Sequence, residues 1–215
     1  MHALFFVVLI TVTGHGQASA NPDMATETFT VATNAATAVK AASENASRYT
    51  TLLERLHALG IAPADIRTAS YSMYYTPPAP ANVPNPNPQP TGYFVNRQET
   101  VTIHNLSWAG RAVDAAIGAG VAGVDGISFG VSDTRSLYGR ALASAVADAR
   151  SQASAMAQAA GLHIVRIHRM DQGTPPVRFP APVAMMRTAE VAPPTQIEPS
   201  SVSQGADVTV VYEAQ

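Results

Sequence analysis

From Met24 to Ala32 the chain reads MATETFTVA, apolar at every second residue, and from Asn34 to Leu59 the spacing lengthens to three and four. That change of period, from a strand to a helix, limits the available folds more than any other feature of the sequence. In the helical stretch Val39, Ala42, Ala46, Tyr49, Leu53 and Leu56 line one expected face. Glu44 and Arg48 sit four apart on another, and Gly60 follows as the C′ stop. The change recurs downstream. Gly126 to Val131 reads as a strand, Asp133 or Thr134 caps a second long helix (SLYGRALASAVADARSQASAMAQAA), and Gly161 stops it. Ala141, Ala145, Ala149, Ala153 and Ala160 suit that helix to a close approach to a sheet or a twin helix.

The remaining segments follow the same signals. LITVT within Leu9 to Ser19 alternates, and Asn21-Pro22-Asp23 marks a turn, so this stretch and the MATETFTVA strand are expected to form a hairpin. Ser70 to Tyr75, Tyr93 to Ile103, Leu162 to Met170 and Val208 to Tyr212 read as further strands. Ser107 is the expected N-cap of a short helix running to Ala119. Prolines crowd residues 76–91 and 174–199 too densely for helix or sheet ladder, and the first of these excursions reads as an extended hairpin tip. The order is β-β-α-β-β-α-β-α-β-β. It predicts an α+β fold, a mainly antiparallel sheet with two long helices and one short helix packed on it, rather than a doubly wound parallel sheet.

Composition narrows function by exclusion. Charged residues make up 13% of the chain, the formal net charge is −2, and no basic run occurs, which excludes nucleic acid and acidic membrane surfaces as expected partners. The absence of cysteine excludes disulfides, zinc–thiolate sites and thiol catalysis. After Ile10 no apolar run approaches the roughly 20 residues that a membrane helix needs.

Several stretches together resemble the SIMPL-domain family of bacterial envelope proteins. They are ITVTGHGQASANPDMATETFTV, LHALGIAPADIRTASYSMYY, TGYFVNRQETVTI, GAGVAGVDGISF, AVADARSQASAMAQAAG and VTVVYE, in that order from Leu9 to Glu213. The resemblance implies the fold already read from periodicity, and residues 9–215 as a single domain carrying the two proline-rich excursions. It also implies a periplasmic or outer-membrane-associated protein that assembles into rings and takes part in oxidative-stress defence, with immunogenicity in pathogens. A vertebrate relative of the family is a kinase adaptor. The family brings no catalytic residue with it.

The resemblance bears on the amino terminus. Leu4 to Ile10 followed by Ala18-Ser19-Ala20 has the layout of a signal peptide and its cleavage site. No Lys or Arg precedes the apolar run, and cutting after Ala20 would remove a strand and expose the edge of the next. Leu9 to Ser19 is therefore read as a strand of the mature fold, and residues 1–8 as the remnant of an export signal or a shortened one.

Four constellations invite chemistry. Gly126-Ile127-Ser128-Phe129-Gly130 is a literal G-x-S-x-G, with Asp148 and His163 or His168 following in hydrolase order. Ser128 nevertheless falls inside an expected strand rather than at a strand-to-helix elbow, and no glycine-rich oxyanion loop precedes it. Gly14-His15-Gly16 reads as a bulge or a close backbone approach in the first strand, not a dinucleotide loop. His163 and His168, five apart on a strand, point to opposite faces and suit no common metal ion. The methionines read as core filling by Met24, Met73 and Met156, with Met185-Met186 in a loop.

Two groups of residues carry the expectations about sites. Tyr71, Tyr74, Tyr75, Tyr93 and Phe94 flank the first proline-rich excursion and suit either a subunit contact or cross-strand packing. Glu27 and Glu99 share parity with apolar neighbours at positions where the family tends to be apolar, and Arg97 has the same parity. An unpaired buried carboxylate is costly, so Arg97 is expected to pair with Glu27 or Glu99 on an incompletely covered face. The reading as a whole is a non-catalytic envelope protein without cofactor or metal, acting as a homo-oligomer or by binding an envelope partner. The alternatives are a serine hydrolase using Ser128 and a cytoplasmic adaptor.

Overall fold

A computed structural model describes residues 7–78, 90–173 and 195–215 of the chain. Its elements are β1 (Val8–Ala20), β2 (Met24–Ala35), α1 (Ala38–Ala58), β3 (Ile66–Thr76), β4 (Gly92–Ile103), α2 (Ala109–Gly118), β5 (Gly123–Gly130), α3 (Thr134–Ala159), β6 (Ile164–Gln172) and β7 (Val202–Ala214), with short 3-10 turns before β3 and α2. The order and the antiparallel α+β class are those the periodicity gives. The expected hairpin of the first two strands does not form. β1 pairs along its whole length with β7, from Val8 opposite Ala214 to Ala20 opposite Val202. β2 lies instead between β4 and β5. Removing β1 would therefore bare the edge of β7, not that of β2.

The chain divides into two compact units. Unit 1 holds a three-stranded sheet, in the order β1-β7-β6, with α3 on one face. Unit 2 holds a four-stranded sheet, in the order β3-β4-β2-β5, against which α1 and α2 pack, and residues 195–200 belong to it.

In unit 1 the helix meets the sheet backbone to backbone. Leu137, Ala141, Ala145, Ala149, Ala153 and Ala157 form the buried stripe of α3, every fourth residue, while Ala160 is the exposed C-cap and lies off it. Opposite this stripe are Gly14 and Gly16. A Cβ at Gly14 would overlap the Ala145 carbonyl oxygen and sit 2.5 Å from the Ala149 nitrogen, and one at Gly16 would overlap the Ala141 carbonyl oxygen. The glycines serve close approach, and Ile10, Val12, Val208, Val210 and Tyr212 complete the dry core around them. Asp133 caps the helix by accepting from the Ser136 N–H at 2.9 Å.

In unit 2 the apolar core joins Phe29, Val31, Val101 and Ile103 of the sheet to Leu52 and Leu56 of α1 and Ala112, Val113 and Ala116 of α2. The buried residues of α1 are Ala41, Asn45, Leu52 and Leu56, so its inner face is turned from the expected one, leaving Val39 81% exposed and Ala46 exposed. Three hydrogen bonds account for the turn. The Asn45 amide donates to the Val31 carbonyl at 2.8 Å, Arg48 to the Ala32 carbonyl at 3.0 Å, and the Thr33 hydroxyl to the Ala41 carbonyl at 2.8 Å. Glu44 pairs with Lys40 at 3.9 Å rather than with Arg48. The helix ends with Gly60 at φ +94°, as a C′ glycine should. Asn105, not Ser107, accepts the first N–H of the turn leading into α2, at 3.1 Å.

Among the described residues no helix is long and apolar enough to cross a membrane. Most of both proline-rich excursions, Met185-Met186 and residues 1–6 lie outside the described residues.

Candidate functional site

β3 is an end strand of its sheet, paired to β4 on one side, and unlike its neighbours it buries little: all nine residues from Arg67 to Tyr75 are exposed. Cross-strand register places four of the five aromatic residues in two pairs and sets Tyr71 opposite Arg97. Tyr74 stacks on Phe94 with centroids 5.2 Å apart and planes 8° from parallel, and Tyr75 meets Tyr93 at 4.9 Å. Because neighbours in a strand alternate, the first pair lies on the face away from α1 and the second on the α1 face, together with Tyr71 and Met73. The rings therefore clasp the end of the sheet from both sides instead of forming a patch on one. Tyr71, Tyr74 and Tyr75 are each about half exposed, with values of 48%, 55% and 53%.

Next along β4 stands Arg97. Its guanidinium carbon is 4.2 Å from the Tyr49 ring centroid and 5.0 Å from that of Tyr71, so the cation is held between a ring of α1 and a ring of β3. Its Nη1 lies 3.5 Å from a Glu99 carboxylate oxygen, which also accepts from the Thr68 hydroxyl at 2.8 Å. The cation serves Glu99, not Glu27. The sheet face here is closed rather than partly open, because Glu27 and Glu99 are both fully buried.

Glu27 has no such neighbour. Along β2 it lies between Ala25 and Phe29 on the same face, and across the sheet it faces Val101 of β4 and Ile127 of β5. Neither of its oxygens has a hydrogen-bond partner, and the same holds for the second oxygen of Glu99, the Asn45 amide oxygen and Arg97 Nε. Burial in these apolar surroundings pushes the Glu27 carboxyl up from 4.5 to about 8. At neutral pH it is an acid holding its proton.

The other constellations resolve into structural roles. Ser128 lies exposed within β5, opposite Thr26, and not at an elbow. Gly126, at φ +156°, stands at the bulge that shifts the β2–β5 register. Asp148 of α3 accepts from the His15 backbone N–H at 2.8 Å and from Gln152, whose amide also donates to the Thr13 carbonyl at 3.2 Å. These contacts, with Arg140 donating to the Ser19 carbonyl at 3.3 Å, tie α3 side chains to the outer backbone of β1. His163 precedes β6 and exchanges backbone hydrogen bonds with Gln215. Two register shifts in β6 break the alternation on which the sequence reading of His168 relied, and bring it 2.9 Å from Glu213.

Glu213 also receives both arms of Arg166, at 2.6 and 2.8 Å, and these bonds, with that from His168, hold its carboxyl below the usual range. No sequence pattern marks this cluster, since plain alternation assigns no contact across two bulges. Met73 and Met156 are exposed at 41% and 52%, so neither fills the core, and Met24 is half-buried. Among the described residues no group of three or more His, Asp and Glu is placed to hold a metal.

A cleft of about 340 Å³ in unit 1 is lined by His15, Gly16, Gln17, Ser203, Gly205, Ala206 and Asp207. His15 Nδ1 lies 2.8 Å from the Asp207 carboxylate. Ser203 is four residues from Asp207 along β7, roughly 13 Å at strand rise, and its hydroxyl bonds that of Ser19, so it lies out of the imidazole's reach.

Comparison with known proteins places these features in a family. The profile of the SIMPL family, described as a protein of unknown function (DUF541), matches residues 10–212. The 26 kDa periplasmic immunogenic proteins of Brucella melitensis biotype 1 and Brucella abortus strain S19 are each 28% identical over 211 residues, 95% of this chain and 84% of theirs. The uncharacterized protein YggE of Edwardsiella ictaluri is 30% identical over 153 residues, 71% of this chain and 63% of its own. With the match spanning both units from β1 to β7, the chain belongs to the SIMPL family.

Proposed function

We propose that this chain is a non-catalytic cell-envelope protein of the periplasm, acting by self-assembly or by binding an envelope partner, with the β3 edge as its contact surface. The single observation that carries the reading is an end strand of 11 residues whose outer side has no strand partner among the described residues and whose side chains include exposed Tyr71, Met73, Tyr74 and Tyr75. A free edge offers backbone donors and acceptors to a second strand. The rings add the large, stiff contact area in which interfaces are enriched. The compartment is supported by the name of the two Brucella relatives. The place of Ser128 within a paired strand supports a role without catalysis. A part in oxidative-stress defence rests on family resemblance alone, and survival of a deletion strain under peroxide tests it.

The experiment on the surface is light scattering coupled to size exclusion, on wild type and on a Tyr74→Lys/Tyr75→Lys variant. Lysines on an edge strand oppose strand addition without disturbing a buried core. The expected result is an assembly in the wild type that the variant loses at unchanged circular dichroism. A monomeric wild type, or an assembly indifferent to both lysines, would contradict this use of β3.

A further inference from the structure

Glu27 is a titratable side chain that no part of the proposed function uses, and its surroundings are unusual. It is completely buried, both oxygens lack a partner, and the residues beside and across from it are Ala25, Phe29, Val101 and Ile127. A carboxylate without a partner in such a place is strongly disfavoured, whereas the neutral acid costs only its unmade hydrogen bonds.

We propose that Glu27 is a proton-operated latch in unit 2: α1 stays closed on the four-stranded sheet while the Glu27 carboxyl keeps its proton, and loosens from it when that proton passes to solvent.

Every charged group facing this position has another engagement. From β4, Glu99 and Arg97 face the same side of the sheet, and the guanidinium is shared between Glu99 and the rings of Tyr49 and Tyr71. From β5 the facing residue is Ile127, while Asp125 accepts from the Thr30 hydroxyl. From α2 the inner residues are Ala112, Val113 and Ala116; Arg111 and Asp114 are exposed, and Asp114 accepts from Thr195. From α1 the titratable residue on the inner side is Tyr49, while Arg48 donates to the Ala32 carbonyl. Ionised Glu27 would therefore add a second negative charge beside Glu99 with one cation already committed. Elsewhere in the same helix–sheet seam Asn45 of α1 donates to the Val31 carbonyl but is buried with its amide oxygen unpaired.

The direction of the effect follows from linkage. Opened to water, the carboxyl titrates near 4.5; closed, near 8. Between those values closure takes up a proton, so raising the pH favours opening by up to tenfold per pH unit, and above about 8 the dependence on this group ends.

Hydrogen exchange by mass spectrometry on the full chain, corrected for the intrinsic pH dependence of exchange, reads this directly. Protection of α1 amides, relative to those of α3 in the same molecule, should fall steadily from pH 5 to pH 8 and then level. In Glu27→Gln, which keeps the shape and cannot ionise, the ratio should stay constant. Should that variant fold poorly, Glu27→Met must give the same constancy. Parallel profiles for wild type and a folded variant, or a wild-type ratio that does not move with pH, would overturn the latch.

Discussion

The seam between helix and sheet in unit 1 is made of alanine and glycine; in unit 2 it contains Glu27, Glu99, Arg97 and Asn45. Both units lay helices on an antiparallel sheet, yet they depend on different physics. In unit 1 the backbones of α3 and β1 touch, Asp148 and Arg140 reach β1 without being buried, and the seam itself rests on dispersion and dry burial. Such a seam has no room for an added carbon. In unit 2 the contact includes buried polar side chains and is held in part by side chains of α1 donating to the backbone of β2. That seam encloses a titratable side chain, Glu27. A strand and a helix can thus be matched by removing side chains or by burying polar ones, and only the second choice leaves the fold sensitive to its solution.

The largest expected effect breaks the first seam. Gly16→Val forces carbon into the Ala141 carbonyl, and should cost about 3 kcal/mol in denaturant unfolding, at the upper end for overpacking, with α3 losing protection first. Next comes the cation of unit 2. Arg97→Met leaves Glu99 buried beside Glu27 with no positive charge between the two rings, and should cost about 2 kcal/mol at pH 7. Glu27→Met should act in the opposite direction, raising stability by about 1–2 kcal/mol at pH 7.5, because it removes the buried acid without leaving a partner exposed. The gain should shrink as the pH falls toward 4.5, below which the wild-type carboxyl is protonated in both folded and unfolded chain.

The smallest effect belongs to Glu213, whose carboxyl is lowered first by the hydrogen bond from Arg166 and then by that from His168. A group lowered in the folded state stabilises above its ordinary value and loses that contribution as pH falls through the folded one. Glu213→Gln should lower the Tm slightly at pH 7, and the difference from wild type should close as the pH drops below about 4.5.

These two seams were unequally legible in the sequence. Element order followed from periodicity, and the parity of Glu27 and Glu99 alone placed both on an apolar face. The use of Gly14 and Gly16 was readable as far as a bulge or a close approach, since glycines two apart in a strand leave no side chain to pack, and the contact with α3 decides for the second. Strand partnership was not. A turn at Asn21-Pro22-Asp23 suggests a local hairpin, but β1 pairs with a strand almost two hundred residues later in the chain, and no short-range pattern carries that information. The face of α1 was misplaced because Asn45 reads as polar and hence outward, whereas its hydrogen bond to Val31 turns it in. The contact of His168 with Glu213 was hidden by bulges, which move a side chain to the other face without a marker in the sequence. The stripe of α3 was off by one turn at its end, where spacing by four from Ala141 leads to Ala157 rather than Ala160.

The most direct test of the contrast between the seams is a carbon-13 NMR titration of the Glu27 side-chain carboxyl in the intact chain, assigned by its loss in Glu27→Gln. The account predicts a midpoint near 8, far above the ordinary 4.5 of a glutamate carboxyl. A midpoint near 4.5 would show an ionised and solvated Glu27, and would contradict the picture of unit 2 as closed over a neutral acid.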